Sequence, residues 1–179
     1  KAHAGNLPFE DATMDFGYSL GVLHHIPDPE EALTECVRKI KPKAPFLVYL
    51  YYAFDNKPWW FRMVWRCSDL MRLVISRLPR SLCFLVCNLI AIFVYWPLAR
   101  FSLLLPKLGL SAQHFPLNFY SKLSLYTMRT DSLDRFGTRL EHRFTKSEIR
   151  EMMERSGLVG IEFSDSTPYW CAIGFRAQN

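Results

Sequence analysis

Uncharged apolar runs mark the strands of this chain. Residues 16–22 and 45–52 are two such runs, rich in aromatic and small apolar side chains. Runs of this kind are typical of strands buried on both faces of a parallel sheet. Two further runs near the end of the chain, 158–163 and 169–175, predict a second pair of strands separated by a polar turn around Asp165.

Helical spacing of apolar residues appears between these strands. In residues 29–40 the apolar residues recur at helical spacing with charged residues between them, which is typical of an amphipathic helix that covers a sheet. Asp28 is suited to the N-cap, and Pro29 to the first helical position. Thr145 and Glu148 have the spacing of a capping box and predict the start of a helix that ends at Gly157.

The middle of the chain has a different composition. Residues 55–125 hold nine Lys or Arg against two Asp, while the whole chain has a net charge of +5. We expect helices here, beginning with one over residues 59–80. Its polar side would carry Arg62, Arg66, Asp69, Arg72, Ser76, Arg77 and Arg80, and its apolar side Trp60, Met63, Val64, Met71, Val74, Ile75 and Leu78.

Two interpretations of this segment stay open. A basic amphipathic helix with tryptophans at one end is typical of an interfacial membrane helix. The alternative is a helix packed on the rest of the protein with a solvated basic face. Residues 82–96 are almost entirely apolar but shorter than the ~20 residues of a bilayer span, which favours a buried or half-inserted helix over a spanning one.

Length and composition indicate a globular protein. The chain has 179 residues, and half of them are hydrophobic. Its five cysteines are odd in number and form no C-x-x-C pair. Cys83 and Cys87 lie four residues apart, on one face of a helix, where core packing is favoured over a disulfide or metal site. We expect no metal and a reducing compartment.

The most informative stretch is 6–33, which contains the sequences Leu7-Pro8-Phe9 and Leu23-His24-His25-Ile26. This pattern, with Asp11 and Asp28, resembles the middle of class I S-adenosylmethionine-dependent methyltransferases, nearest to the small-molecule and lipid-quinone branch. Where that family usually has L-K-P-G-G, residues 41–45 read Lys-Pro-Lys-Ala-Pro. The glycine turn is therefore altered.

The resemblance implies an α/β fold. We expect a partial Rossmann-like methyltransferase sheet with helices on both faces and a large helical insert. Residues 1–54 and 126–179 would form the C-terminal part of the methyltransferase domain, and 55–125 a basic, apolar insert that covers the acceptor side of the site. The family's glycine-rich cofactor loop would precede residue 1.

The resemblance also implies an activity, the transfer of a methyl group from S-adenosyl-L-methionine to a small or lipid-like acceptor. The cofactor carries the reactive group, so the protein mainly positions the reactants and can remove a proton. His24 and His25 are the candidate catalytic residues, although either could merely cap the turn. The alternative function is a non-catalytic methyltransferase-like module that binds a membrane or a partner.

Further site residues follow from the same resemblance. The cofactor would contact Ser19, Leu20 and Gly21 at the end of a strand. His3, followed by Ala4, stands where the family often has an acidic residue facing the adenine. Candidate acceptor-binding residues lie in the polar segment near the C-terminus, which could instead be a solvated surface loop: Tyr126, Asp131, Asp134, Arg135 and His142.

The partners expected from the sequence are a small-molecule or lipid-like acceptor and an anionic membrane surface. A homo-oligomer formed through the insert is a further alternative. Nucleic acid is not expected, because the basic residues are interleaved with large apolar ones and no nucleic-acid motif occurs. The expected location is the cytoplasm, with a peripheral position at the inner membrane face as its variant.

Overall fold

A computed structural model describes residues 7–111, 115–166 and 170–178. Its strands are β1 (Gly17–Leu20), β2 (Pro45–Tyr49), β3 (Leu158–Phe163) and β4 (Cys171–Arg176). Its α-helices are α1 (Pro29–Lys39), α2 (Trp59–Ile75), α3 (Arg80–Ile90), α4 (Trp96–Ser102), α5 (Leu125–Gly137) and α6 (Lys146–Arg155). The chain divides into two units, one formed by the described residues up to Lys57 and from Leu140 onward, the other by Pro58–Arg139.

The first unit contains a mixed sheet, which over the described residues has the order β1-β2-β4-β3. β1 pairs with β2 in parallel, with Gly17 opposite Phe46. β4 runs antiparallel to both β2 and β3. The predicted α/β class, the parallel first pair and the second pair that completes the sheet are all confirmed.

The core of the first unit lies between this sheet and two helices in contact with each other, α1 and α6. Phe46 and Val48 of β2 and Leu50, directly after it, are almost fully buried. Leu33 of α1 and Met153 of α6 complete the same cluster. Alternate residues of a strand face the same side, so Phe46 and Val48 enter the core together.

The helix ends in this unit form as the sequence predicts. The Asp28 side chain accepts a hydrogen bond from the Glu31 amide, 2.9 Å away, and caps α1. Thr145 and Glu148 make the full capping box of α6. Both caps provide partners for amides that lack them in the first turn of a helix.

In the second unit, part of the predicted polar side of α2 packs inward, which corrects the sequence-based interpretation of a solvated basic face. Arg72 is 5% exposed. Its Nε donates to Asp69 Oδ1 at 2.7 Å, and its Nη1 donates to the Thr138 carbonyl at 3.0 Å. The basic side is therefore only partly solvated, because a carboxylate and the carbonyls at the end of α5 bind Arg72. The helix also ends at Ile75, before residue 80.

The predicted apolar side of α2 is mostly exposed instead. We define the outer stripe of α2 as seven residues at helical spacing, each exposed: Trp60, Met63, Val64, Cys67, Leu70, Met71 and Val74. Of the apolar positions predicted to share a face, Ile75 is the one that is buried in the core. Along α2, several large apolar side chains are thus exposed while Arg72 is buried.

α3, a π-helical turn at Ala91–Tyr95 and α4 form one continuous helical stretch, Arg80–Ser102. Its inward side carries small residues, with Cys83, Cys87 and Ala91 buried. Its outward side carries large exposed apolar residues, and we call these the outer face of the long helix: Leu82, Phe84, Leu85, Leu89, Ile92, Phe93, Val94 and Trp96. The placement of Cys83 and Cys87 in the core confirms the sequence-based prediction.

α5 is the helix against which α2 and α3 pack. Ser132 is fully buried, and its hydroxyl donates to the Cys87 carbonyl at 2.8 Å. Arg129 Nε donates to Asn88 Oδ1 at 2.6 Å. The second unit continues to Arg139, beyond the insert of 55–125 expected from the sequence, and it includes α5.

We predict that Gly17→Ala destabilises the first unit. A β-carbon at this position would overlap the Phe46 ring and lie 3.0 Å from Ile40 Cγ2. Overpacking of this kind costs about 1–3 kcal/mol, measurable as a lower free energy of unfolding in urea. In a Phe46→Leu background the penalty of Gly17→Ala should shrink, since the ring is then absent. An equal penalty in both backgrounds would show that the Phe46 ring is not its cause.

Candidate active site

The candidate site lies where β1 and β2 end. Because the two strands are parallel, their carboxyl ends meet at one edge of the sheet, where α/β proteins bind ligands. Gly21 follows β1 with a φ of +69°, a conformation that glycine adopts without strain. Its amide donates to the Tyr49 carbonyl at 3.0 Å, and a 3₁₀ turn, Leu23–His25, comes directly after it.

His24 lies inside this turn and is fully buried. Its ring stacks on Tyr51 with 3.8 Å between the centroids. Its carbonyl accepts a hydrogen bond of 2.9 Å from the His142 amide, but among the described residues neither of its ring nitrogens has a hydrogen-bond partner. A buried polar group without a partner is costly and points to a ligand or an ordered water.

Burial lowers the pKa of His24 from its ordinary 6.5 to about 3, and the positive charges of His25, Arg143 and His142 add to the shift. The imidazole is therefore neutral at neutral pH. A general base works best when its pKa is near the operating pH, so His24 is poorly suited to that role. It is better suited to accept or donate a hydrogen bond as a neutral ring.

His25 has a different environment, being only half-buried. Its Nδ1 lies 3.0 Å from the Leu140 carbonyl oxygen. A carbonyl can only accept, so Nδ1 carries the proton and Nε2 keeps its lone pair. This backbone contact fixes both the tautomer and the orientation of the ring. Of the two histidines, His25 is the one arranged to take up a proton.

The chain following Leu140 packs along the extension of β2. The Phe144 amide donates to the Tyr51 carbonyl at 2.9 Å, and the Ala53 amide donates to the Phe144 carbonyl at 2.8 Å. Arg143 places its guanidinium carbon 5.0 Å from the centre of the Tyr51 ring. Tyr51 and Arg143 were not among the site residues expected from the sequence. The aromatic run that continues past the end of β2 is the signal that could have indicated them.

The expected cofactor residues are placed as follows. Ser19 is buried, Leu20 is 50% exposed and Gly21 is half-buried at the strand end. Among the described residues β1 pairs with β2 alone. His3 and Ala4 lie outside the described residues. The backbone groups at the end of β1, from Ser19 to Gly21, and the two ring nitrogens of His24 fit a ligand with amino, carboxylate and hydroxyl groups.

The expected acceptor-binding residues are divided between the two units of the chain. Tyr126, Asp131, Asp134 and Arg135 lie on α5 of the second unit, whereas His142 belongs to the first. The polar segment is thus largely a helix and not a surface loop. Their joint role in acceptor binding stays a prediction.

Arg135 has structural contacts within its own unit. Its Nη2 donates to Ser68 Oγ at 3.0 Å, and its guanidinium carbon lies 5.2 Å from the centre of the Trp65 ring. Asp69 is 3.5 Å from its Nη1. These contacts join α5 to α2. Tyr126 is 77% exposed, so its ring contributes little to the packing of the unit.

No group of three or more His, Cys, Asp or Glu side chains that could hold a metal ion occurs in the part of the chain that the structure describes. The groups that the described part of the site presents are imidazoles, phenols and backbone amides and carbonyls. Burial also raises the pKa of the Tyr49 hydroxyl, so this phenol stays protonated at neutral pH.

Comparisons with known proteins agree with this arrangement. Residues 1–48 match a family model described as a methyltransferase domain. An S-adenosylmethionine-dependent methyltransferase from Methanosarcina mazei has a similar structure, with a TM-score of 0.51 and 13% sequence identity. That alignment covers 99% of this chain and 66% of the other protein.

A second solved structure comes from Thermotoga maritima and is described as a methyltransferase of this kind, possible histamine N-methyltransferase. It has a TM-score of 0.47 and 13% identity, with 99% of this chain and 62% of that protein covered. The chain thus spans less than two thirds of the length of either protein.

We predict that His24 makes stability depend on pH. Its folded pKa of about 3 lies below its ordinary 6.5, so the unfolded chain binds a proton more readily. Stability is then complete above pH 6.5 and falls as the pH drops toward 3, with a slope approaching about 1.4 kcal/mol per pH unit. Urea unfolding at several pH values between about 7 and 5 measures this slope. Most carboxylates remain ionised in this range, so they contribute little to it.

A His24→Gln variant is the control, because glutamine cannot take up a proton in this range. It should show a flatter pH dependence than the natural chain. The same slope in both proteins would assign the effect to other groups.

The last pair of strands includes the antiparallel strand β4, as the sequence-based resemblance implied. The sequence-based resemblance rested on the residues around β1, and the family model matches that same region. Over residues 1–48 the chain is thus similar to a methyltransferase domain, and its fold is similar to that of an S-adenosylmethionine-dependent methyltransferase.

Proposed function

We propose that this chain takes part in the transfer of a methyl group from S-adenosyl-L-methionine to a small or lipid-like acceptor. The observation that carries the proposal is the match of residues 1–48 to a methyltransferase domain, because that segment includes β1 and the His24-His25 turn. The turn lies at the carboxyl edge of the sheet, where this class of fold binds ligands.

The cofactor would supply an electrophilic methyl group on a sulfonium centre. The chain would hold it through the backbone from Ser19 to Gly21 and through the neutral ring of His24. Because Tyr51 stacks on His24 at 3.8 Å, the imidazole has a fixed orientation. Fixed donors and acceptors favour one bound geometry, which is the main contribution of the protein in such a transfer.

His25 would accept the proton that an acceptor hydroxyl or ammonium group loses. The Leu140 carbonyl holds the proton on Nδ1, and the lone pair of Nε2 is then available. A positioned general base contributes typically about 10²–10⁴-fold to a rate. His24 would act as a positioning residue, since its pKa of about 3 makes it a weak base.

A groove within the second unit supports a lipid-like acceptor. Its volume is about 680 Å³, and apolar Leu78, Phe84 and Leu133 line it together with Arg80 and Asp134. Pockets of this size hold molecules with an apolar body and a few polar groups. Asp134, one of the acceptor-binding residues expected from the sequence, belongs to this lining.

We predict that His25→Gln lowers kcat by about 10²–10⁴-fold in the full natural polypeptide while cofactor affinity is kept. Glutamine can keep a hydrogen bond to Leu140 but cannot take up the proton. Calorimetric titration with S-adenosylhomocysteine measures affinity. Transfer from methyl-labelled S-adenosylmethionine into separated polar and lipid cell extracts measures turnover and identifies the class of acceptor.

Glu151→Gln, on the exposed side of α6, is the matched control and should leave both quantities unchanged. An unchanged kcat in His25→Gln would remove the general-base role. Cofactor binding without transfer into either extract would favour the alternative function, a non-catalytic methyltransferase-like module. Absence of cofactor binding would overturn the proposed function.

A further inference from the structure

The interior of the second unit combines large apolar side chains such as Met128 and Phe136 with polar and small ones, and many large apolar side chains lie on its outside. In the interior lie the Arg72–Asp69 ion pair, the buried Ser132 hydroxyl and small residues such as Cys87 and Ala91. Other large apolar side chains point outward, and Phe93 is 71% exposed. Helices surrounded by lipid pack in this way, with small and polar groups between them and large apolar groups outside.

The exposed apolar area is too extensive to be incidental. The outer stripe of α2 and the outer face of the long helix together hold fifteen exposed side chains of the residues described, all apolar except for the thiol of Cys67. A monomer in water rarely exposes contiguous apolar patches beyond a few hundred Å². Something must therefore cover these surfaces.

The long helix has the dimensions of a membrane element. Over the described residues, Arg80–Ser102 is the one helix that is long and apolar enough to cross a membrane, and 28% of its most apolar part is buried in the protein. Core helices of soluble proteins pass the same test but are mostly buried. Trp96 is exposed near one end and Arg80 near the other, where aromatic and basic residues meet lipid headgroups.

Charge decides between lipid and a second copy of the chain. Arg62 and Arg66 are exposed and, at 100° per residue, border the outer stripe of α2 on one side. The sequence from 58 to 111 contains one acidic residue, Asp69, which is already bound to Arg72. A symmetric pairing of two such surfaces would oppose like charges, whereas an anionic bilayer would neutralise them.

We infer that the outer stripe of α2 and the outer face of the long helix dock the second unit into an anionic lipid bilayer. The apolar side chains enter the acyl region, and Arg62, Arg66, Arg77 and Arg80 contact the headgroups. The inference concerns the second unit alone and does not depend on the proposed methyl transfer.

The test is flotation of the full natural polypeptide with vesicles of phosphatidylcholine, with and without phosphatidylglycerol. We expect tight binding to the anionic vesicles and weaker binding to the neutral ones. Each Arg→Gln substitution at Arg77 or Arg80 should weaken binding to anionic vesicles about fivefold, in line with the usual contribution of a basic residue near such a surface. High salt should reduce the difference in binding between anionic and neutral vesicles.

Leu85→Glu and Phe93→Glu test the apolar contact. Both side chains are exposed, so the substitutions should leave the fold intact and abolish binding. Val159→Glu is the matched control, since Val159 of β3 is exposed to a similar extent in the other unit. Circular dichroism of each variant verifies folding.

Cys67 provides a direct readout, because it is an exposed thiol within the outer stripe of α2. A water-soluble maleimide should label it in solution, and anionic vesicles should protect it. Continued labelling in the presence of vesicles, or binding that survives both Glu substitutions, would overturn the inference. So would a stable dimer in solution that protects Cys67 and does not bind vesicles.

Discussion

The parallel pairing of β1 with β2 is the constraint on which the first unit depends. It brings two strand ends to the same edge, and the chain then places a glycine turn after one end and an aromatic run after the other. His24 stacks on Tyr51 because these two continuations meet. The antiparallel β4 pairs with the other edge of β2, and α1 and α6 contribute to the cluster that buries the core residues of β2. The geometry of the candidate site is thus a consequence of strand direction, more than of any local motif.

Two rules of burial operate in one chain. The first unit follows the rule for water, with apolar residues such as Val48 and Leu33 inside. The second unit buries apolar residues such as Met128 and Phe136 too, but it also has Arg72 inside and large apolar residues such as Phe93 outside, which is typical of proteins in lipid. Both arrangements keep apolar side chains away from water and polar groups away from lipid. The difference between the units is therefore evidence about their surroundings, since the side chains themselves obey the same physical chemistry.

Sequence alone predicted the elements whose signals are local. The capping box at Thr145, the Asp28 cap and the apolar strands depend on neighbouring residues and were predicted with nearly correct boundaries. The orientation of α2 was not predictable in this way, because periodicity shows that two faces differ but not which face is buried. The role of His24 had the same limit. Its neutrality arises from burial against Tyr51, a residue 27 positions away, and no local pattern contains that contact.

The π-helical turn at Ala91–Tyr95 has a consequence for the register of the long helix. The buried residues Cys83, Cys87, Ala91, Tyr95 and Ala99 recur every four positions. In a regular α-helix such a series drifts sideways by about 40° at each step, since four residues exceed one turn. The wider π turn holds more residues per turn, so it reverses part of this sideways rotation. Deleting one residue from this turn would rotate all that follows by about 100° and carry Ala99 away from the inner side. The length of the turn, more than its composition, keeps the two halves of the helix in phase.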